Sequence, residues 1–311
     1  MNFPKGQLFD MLNESGLRQR AALIQAIRRF FINRDYIEVD TPLRLPVLIP
    51  EAHNEPVESG DHFLQTSPEI CMKRLLAEAG CCKIFQICKC FRNKERGDRH
   101  IPEFTMLEWY RTSCDYLALM DESEDLIIEV ARAAGHNGSV SVRGNAVNLE
   151  KPWERLTVSE AFAQYAPVSV TRALEQNTFD AMLCSYIEPQ LGLKKPVFLY
   201  DYPVELGALA RSKTEAPSLA ERFEIYIAGL ELANGFSELT DRAEQQNRFE
   251  TELQLIKKQG RTVPEAPQKF LASLAKMPEA AGIALGVDRL AMVLLDVETI
   301  DRVVSFIPED L

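Results

Sequence analysis

The sequence has no CxxC pair, and its four histidines are scattered at His53, His62, His100 and His136. Structural zinc sites are built from two closely spaced pairs of Cys or His ligands, so none is expected. The cysteines (Cys71, Cys81, Cys82, Cys88, Cys90, Cys114 and Cys184) then read as reduced thiols of a cytosolic protein. No stretch approaches the roughly 18 uninterrupted apolar residues of a membrane span. The N-terminus, Met1 to Gly16, carries Lys5, Asp10 and Glu14 without an apolar block, so no secretory signal is expected. Repeats, low-complexity tracts and Gly/Ser-rich linkers are absent as well. An excess of positive charge is also missing: 46 acidic against 35 basic residues give a net charge of -11. That balance argues against broad nonspecific binding of nucleic acid. What is present is 311 residues with 46% apolar and 26% charged side chains, ample for a packed core.

Helical spacing of Leu17, Ala21, Ile24, Ile27 and Phe31 predicts a helix from Leu17 to about Arg34 behind a Ser15 cap. Short strands are expected at Tyr36 to Val39 and Phe63 to Thr66. Ser67-Pro68-Glu69 reads as the N-cap, first residue and acidic first turn of a helix that Gly80 ends. Strands at Lys83 to Phe91 and Phe104 to Arg111 flank a long polar loop, and Asp115 to Ala134 is a helix. Residues 112–195 read as mainly helical, with a capping box at Thr157 to Glu160. Strands return at Val197 to Asp201 and Arg222 to Phe236. A polar helix follows from Asp241 to Lys258, then a strand from Gly282 to Gly286 and a helix from Val287 to Leu295. Strands at both ends with helices between them predict an α+β fold, an antiparallel-rich sheet flanked by helices.

Three segments carry chemistry. Between Lys83 and Arg111 lie seven basic and four acidic residues, a local basic excess that suits an anion, although composition alone also fits a solvated hairpin tip. Strand alternation places Phe104, Met106, Glu108 and Tyr110 on one face. A carboxylate on an apolar face is costly unless paired, which suits a cationic ligand. In Glu231 to Glu238, the residues Asn234, Phe236 and Glu238 share a face. Glu231 has the opposite parity and joins them only through a bulge, which Gly235 permits. Two carboxylates with an amide suit Mg²⁺ or an ammonium group; a lone acidic strand edge is the alternative. In Gly282 to Arg289, Gly286 admits a close backbone approach, and Arg289 in the first turn of a helix suits a polyphosphate.

Together these segments resemble the class II aminoacyl-tRNA synthetases of the lysyl branch. Phe91-Arg92-Asn93 with Arg99 to Tyr110 resembles motif 2, and Gly282 to Arg289 resembles motif 3. The first helix with Asp35 to Pro42 resembles motif 1, the dimer-forming element, so a homodimer is implied. The likeness runs from about residue 17 to the C-terminus and implies one synthetase-like catalytic domain over 1–311, with 112–195 an insertion between motif 2 and the acidic strand. Only about 16 residues precede the first helix, so no OB-fold anticodon reader is expected. That resembles the truncated lysyl paralogues, which attach (R)-β-lysine to a lysine side chain of elongation factor P. Ala284 agrees, standing where lysyl-tRNA synthetases usually carry glycine.

The resemblance implies activation of a lysine-type amino acid by ATP and Mg²⁺ in the cytoplasm. ATP is expected on Arg92, Asn93, Lys94, Arg99, His100, Ile101, Glu231, Leu232, Gly286 and Arg289. The amino acid is expected on Ser67, Pro68, Glu69, Glu108, Tyr110, Asn234, Phe236, Glu238 and Ala284. Arg92, Arg289, Glu231 and Glu238 would carry catalysis, and Glu231 and Glu238 the metal. The acceptor would be elongation factor P, with tRNA and a silent regulatory paralogue as alternatives. Two positions depart from the family pattern: Lys94 replaces a glutamate, and Ile101 an asparagine.

Overall fold

The computed structural model describes residues 12–311. Helix α1 (Glu14–Ile32) is capped by Asn13, whose side-chain oxygen accepts from the Gly16 amide at 2.9 Å. Asn13 and not Ser15 is the cap, because Asn13 holds the extended backbone of a cap while Ser15 is already helical. The buried stripe is Leu23, Ala26, Ile27, Phe30 and Phe31. β1 (Ile37–Glu38) follows, then a small sheet of β2 (Arg44–Leu45), β3 (Val57–Ser59) and β4 (His62–Leu64). α2 (Glu69–Ala79) ends at left-handed Gly80. Pro68 occupies its N-cap position with no side-chain cap, so Ser67 does not cap it; Pro68 has already turned helical, which moves the boundary on by one residue.

β5 (Lys83–Phe91) and β6 (Glu103–Thr112) form the hairpin around the basic loop. The segment 112–195 is mostly helical, with α3 (Tyr116–Ala133), α4 (Val158–Tyr165), α5 (Val170–Glu175) and α6 (Phe179–Met182). Thr157 and Glu160 make both hydrogen bonds of the capping box. Three strands there escape the sequence reading: β7 (Ser139–Val142), β8 (Asn145–Asn148) and β9 (Glu154–Thr157). Each has four residues, too few for alternation to stand out.

β10 (Val197–Pro203), β11 (Leu219–Ile227) and β12 (Leu230–Ser237) lead to α7 (Arg242–Lys258), α8 (Gln268–Ser273), β13 (Ala280–Gly286) and α9 (Val287–Leu294). The run from Arg222 to Phe236 is therefore two strands. Ala228 and Gly229, both at positive φ (51° and 72°), make the two-residue turn whose twist suits a hairpin.

The main sheet has the order β1-β5-β6-β13-β12-β11-β10-β9. Its six inner strands pair antiparallel, and the outermost pairs, β1–β5 and β9–β10, are parallel. Both edge strands join their neighbours through helical crossovers, as parallel pairing requires. One face bears Phe85, Leu107, Trp109, Ile283 and Leu285 and packs in one core with side chains of α1, α3 and α9. Phe31 stacks on Phe85 there at 4.8 Å.

Strand periodicity sends the alternate residues to the other face. Glu224, Asn234, Ala284, Glu108 and Gln86 lie side by side across five adjacent strands. Two residues along, Arg222, Phe236, Gly282, Tyr110 and Ile84 make a second row. These two rows are the floor of a cleft. Among the described residues no helix is long and apolar enough to cross a membrane.

Candidate active site

Two cavities of about 320 and 410 Å³ open over this floor and share Arg222, Glu224 and Asn234. The smaller is lined by Arg92, Arg99, His100, Ile101, Glu231, Leu232, Gly286 and Arg289, eight of the ten residues expected to bind ATP. Ala284 and Asn234 also reach it. The larger is lined by Glu69, Asn234 and Phe236.

Arg289 stands in the first turn of α9. It donates to the carbonyls of Arg99 (3.3 Å) and Glu231 (3.0 Å) and to the Glu231 carboxylate (3.3 Å), and it lies 2.6 Å from His100 Nε2. The neighbouring Asp288, buried, accepts from the Thr105 amide at 2.7 Å and pairs with Arg20 at 2.6 Å. This bolt ties α9 to β6 and α1 and fixes where Arg289 emerges. Burial holds the His100 imidazole below its ordinary pKa, and Arg289 adds to the effect. Arg92 lies over the Phe104 ring, and its buried Nε has no hydrogen-bond partner. A guanidinium N–H left open in a cleft is an anion-binding feature.

The departure at Lys94 is absorbed by the backbone. Lys94 sits at φ 63°, a left-handed position that turns its side chain outward to Glu55 at 2.9 Å. Asn93 turns the same way, its side-chain amide donating to Glu55 at 2.7 Å. Neither residue lines the 320 Å³ cavity; Glu95 does, 3.8 Å from Arg92. Both side chains thus meet at Glu55.

Glu231 does reach the cleft through a bulge. Tyr226 faces Glu231 while Ile225 faces Ala233, so Leu232 is the extra residue. The bulge falls at Leu232 and not at Gly235. It reverses the parity of everything before it, bringing Glu231 to the side of Asn234.

At the other end the groups are buried. Glu108 is 1% exposed and accepts from the Tyr110 hydroxyl at 2.8 Å. Burial pushes the Glu108 carboxyl well above its ordinary pKa, with Glu69 adding to the shift. Glu238 is 2% exposed and pairs with Lys73 Nζ at 2.5 Å; Lys73 also pairs with Glu69. Burial pushes Glu238 up to about 8 despite Lys73. The floor is hollowed by Gly282, where an added β-carbon would stand 2.3 Å from Tyr110 and 2.6 Å from Glu238.

The structure separates Glu231 from Glu238, which the sequence reading paired on one metal. Glu238 is bound to Lys73 and lines neither cavity. Seven positions of extended chain, at about 3.3 Å each, hold the two residues far apart. The carboxylate that joins Glu231 in the cavity is Glu224, which the sequence reading missed. Its signal lay in the hairpin: the Ala228–Gly229 turn sets Glu224 opposite Asn234. Glu224 accepts from Arg222, Tyr202 and Tyr226, each at 2.6 Å. Lys73 was missed too. Ser67 lines neither cavity, and Pro68 is buried at the start of α2.

An antiparallel sheet with a cationic loop at one end of its cleft and buried acids at the other is a class II synthetase catalytic core. The sequence model of the family described as tRNA synthetases class II (D, K and N) matches residues 8–310, and the chain belongs to that family. Its relatives include proteins named elongation factor P–(R)-β-lysine ligase, from Salmonella gallinarum, Salmonella heidelberg and Salmonella enteritidis. Each is 39% identical over 308 residues, covering 93% of this chain and 94% of the relative.

Proposed function

We propose that the chain activates (R)-β-lysine with ATP and transfers it to a lysine side chain of elongation factor P. The observation that carries this reading is one cleft with Arg92 and Arg289 at its cationic end and Glu69, Glu108 and Glu238 gathered at the other. A lysine-type amino acid has the matching polarity, a carboxylate with two ammonium groups. Asn234, Ala284 and Phe236 lie between the two ends.

In the first step a carboxylate oxygen of the amino acid attacks the α-phosphorus of ATP. A P–O bond forms, the bond to the β-phosphate breaks, and pyrophosphate leaves. Arg92, through its open Nε, neutralises the approaching anions, and Arg289 holds the departing phosphates. Such chemistry needs positioning and fixed charge more than a protein nucleophile. In the second step the ε-amine of the acceptor lysine attacks the acyl carbon, releases AMP and a proton, and leaves an amide.

Glu224 and Glu231 would hold Mg²⁺. They share the cavity with Arg289, and Mg²⁺ is usually held by one or two carboxylates together with substrate phosphates. No group of three or more acidic, His or Cys side chains suited to a metal exists among the described residues, so the protein supplies only part of the coordination. When bound, the ion would offset phosphate charge. A homodimer through the α1–β1 side fits the exposure of Ile32, Ile37 and Leu43.

ATP–pyrophosphate exchange, measured with (R)-β-lysine, α-lysine and no amino acid, tests the first step. Labelled amino acid offered elongation factor P or tRNA tests the second. Exchange that ignores lysine-type amino acids overturns the reading, and charging of tRNA in place of the protein overturns the acceptor.

Ala284 sits beside Asn234 and Glu108 on the floor. Its methyl restricts how the backbone amine of the ligand can lie. Ala284→Gly should raise kcat/KM for α-lysine relative to (R)-β-lysine by roughly tenfold, the usual worth of a methyl in a shaped pocket. An unchanged ratio in exchange assays removes Ala284 as the selecting residue.

A further inference from the structure

Lys73 is the one buried cation of the acidic end among the described residues, and the reaction above gives it no part. It lies on α2 one helical turn after Glu69, close enough for an ion pair within the helix. Its side chain is 3% exposed, and Nζ meets two carboxylates that arrive from different elements: Glu69 from the start of α2 and Glu238 from the end of β12. The Phe236 ring lies 4.8 Å from the same Nζ. Glu69 and Phe236 line the cavity and Lys73 does not, so the ammonium stands behind the wall that a ligand would touch.

Two carboxylates that converge on one point inside a protein repel each other, and without a cation between them they share a proton. A proton-sharing pair turns one donor and one acceptor to the cavity and attracts an ammonium poorly. Lys73 offsets that repulsion and opposes the uptake of the proton. Glu69 and Glu238 then share one internal ammonium, and Glu108, held by the Tyr110 hydroxyl, stands nearby.

We propose that Lys73 is the positioning residue of the amino-acid pocket: its ammonium holds Glu69 in the cavity wall and Glu238 behind it, offsets the repulsion between them, and so sets the pocket for a ligand carrying two ammonium groups. The proposal rests on the reading of this cleft as an amino-acid site and adds the group that sets its charge. Glu69 of α2 and Glu238 after β12 act on Nζ directly; Glu108 and Tyr110 of β6 and Glu51 of the cavity wall act on those carboxylates. Cys88 of β5 acts on Glu108 from further out.

The test is calorimetric binding between pH 6 and 8.5, with lysine as the diammonium ligand and ε-acetyl-lysine as the monoammonium one. ATP binding is measured beside them. Wild type should bind lysine more tightly than ε-acetyl-lysine. In Lys73→Gln, which keeps hydrogen-bonding capacity and removes the charge, lysine affinity at pH 7 should fall roughly tenfold. Its rise with pH should move upward by about one unit, because the shared proton must leave before the ammonium is accepted. Affinity for ε-acetyl-lysine and for ATP should change little. Lys73→Met/Glu238→Gln removes both fully buried partners, leaves only Glu69 at the cavity wall, and keeps the test open if the single variant unfolds. It should lose the shifted pH dependence.

A folded Lys73→Gln whose lysine affinity follows the wild-type pH curve overturns the proposal. So does an equal loss for lysine, ε-acetyl-lysine and ATP, which marks a merely structural residue. Wild type that binds both amino acids equally also overturns it. Lysine binding without amino-acid-dependent pyrophosphate exchange would overturn the reaction assigned to the cleft while leaving these binding results to decide on Lys73.

Discussion

Arg289→Ala should lower amino-acid-dependent ATP–pyrophosphate exchange by roughly 100- to 1000-fold, the usual cost of removing one preorganised group that meets charge developing in a transition state. The guanidinium is held by two backbone carbonyls, Glu231 and His100 before any phosphate arrives, so little reorganisation is left for the reaction itself. Its loss leaves those carbonyls facing the cleft, where water replaces it. Stability should therefore change by about 1 kcal/mol or less. Exchange kinetics beside a thermal melt check both halves. Turnover near wild type in a folded variant would remove Arg289 from the mechanism.

Gly282→Ala should damage the opposite end. The new methyl would stand 2.3 and 2.4 Å from two carbons of the Tyr110 ring and 2.6 Å from Glu238 Oε1. Neither neighbour can retreat freely, since Tyr110 is hydrogen-bonded to Glu108 and Glu238 is paired with Lys73. Overpacking of this kind costs roughly 1–3 kcal/mol, and the melting temperature should drop by several degrees. Displacing two groups proposed to hold the amino acid should lower its kcat/KM by roughly 100-fold, as misplacements near 1 Å can. KM for ATP should barely move, because the phosphate end lies across the floor. Steady-state exchange with each substrate varied in turn tells the two apart, and equal damage to both would show that the pocket ends are not independent.

Much of this site was legible because strand alternation is local. Phe104 to Tyr110 announce which side chains share a face, and the floor carries Glu108 and Tyr110 where that rule puts them. The parity of Glu231 demanded a bulge, and one exists, at Leu232. Lys73 was not legible. Beside Glu69 it reads as an ordinary helix-surface pair, and its second partner lies 165 residues further on, where no local pattern points back. Glu224 was hidden for a related reason. With Arg222 to Phe236 taken as one strand, it had no partner strand, and only the turn at Ala228–Gly229 folds it over Asn234. The ribbon of β7 and β8 was lost because four-residue strands carry too little period to register.

The parallel pairs at the two margins of the main sheet also bear on how copies of the protein behave when crowded. An exposed strand is a template on which another chain can lay its own backbone, and the hazard grows with length. Here the outermost strands are β1, two residues long, and β9, four, whereas β5, β6 and β11 have nine, ten and nine. The long strands with the fibre-forming potential are all interior, and the rim offers only a few free backbone groups on either side. A sheet finished in this way resists growing by accretion, so heating or concentrating the folded protein should not seed aggregates from its edges.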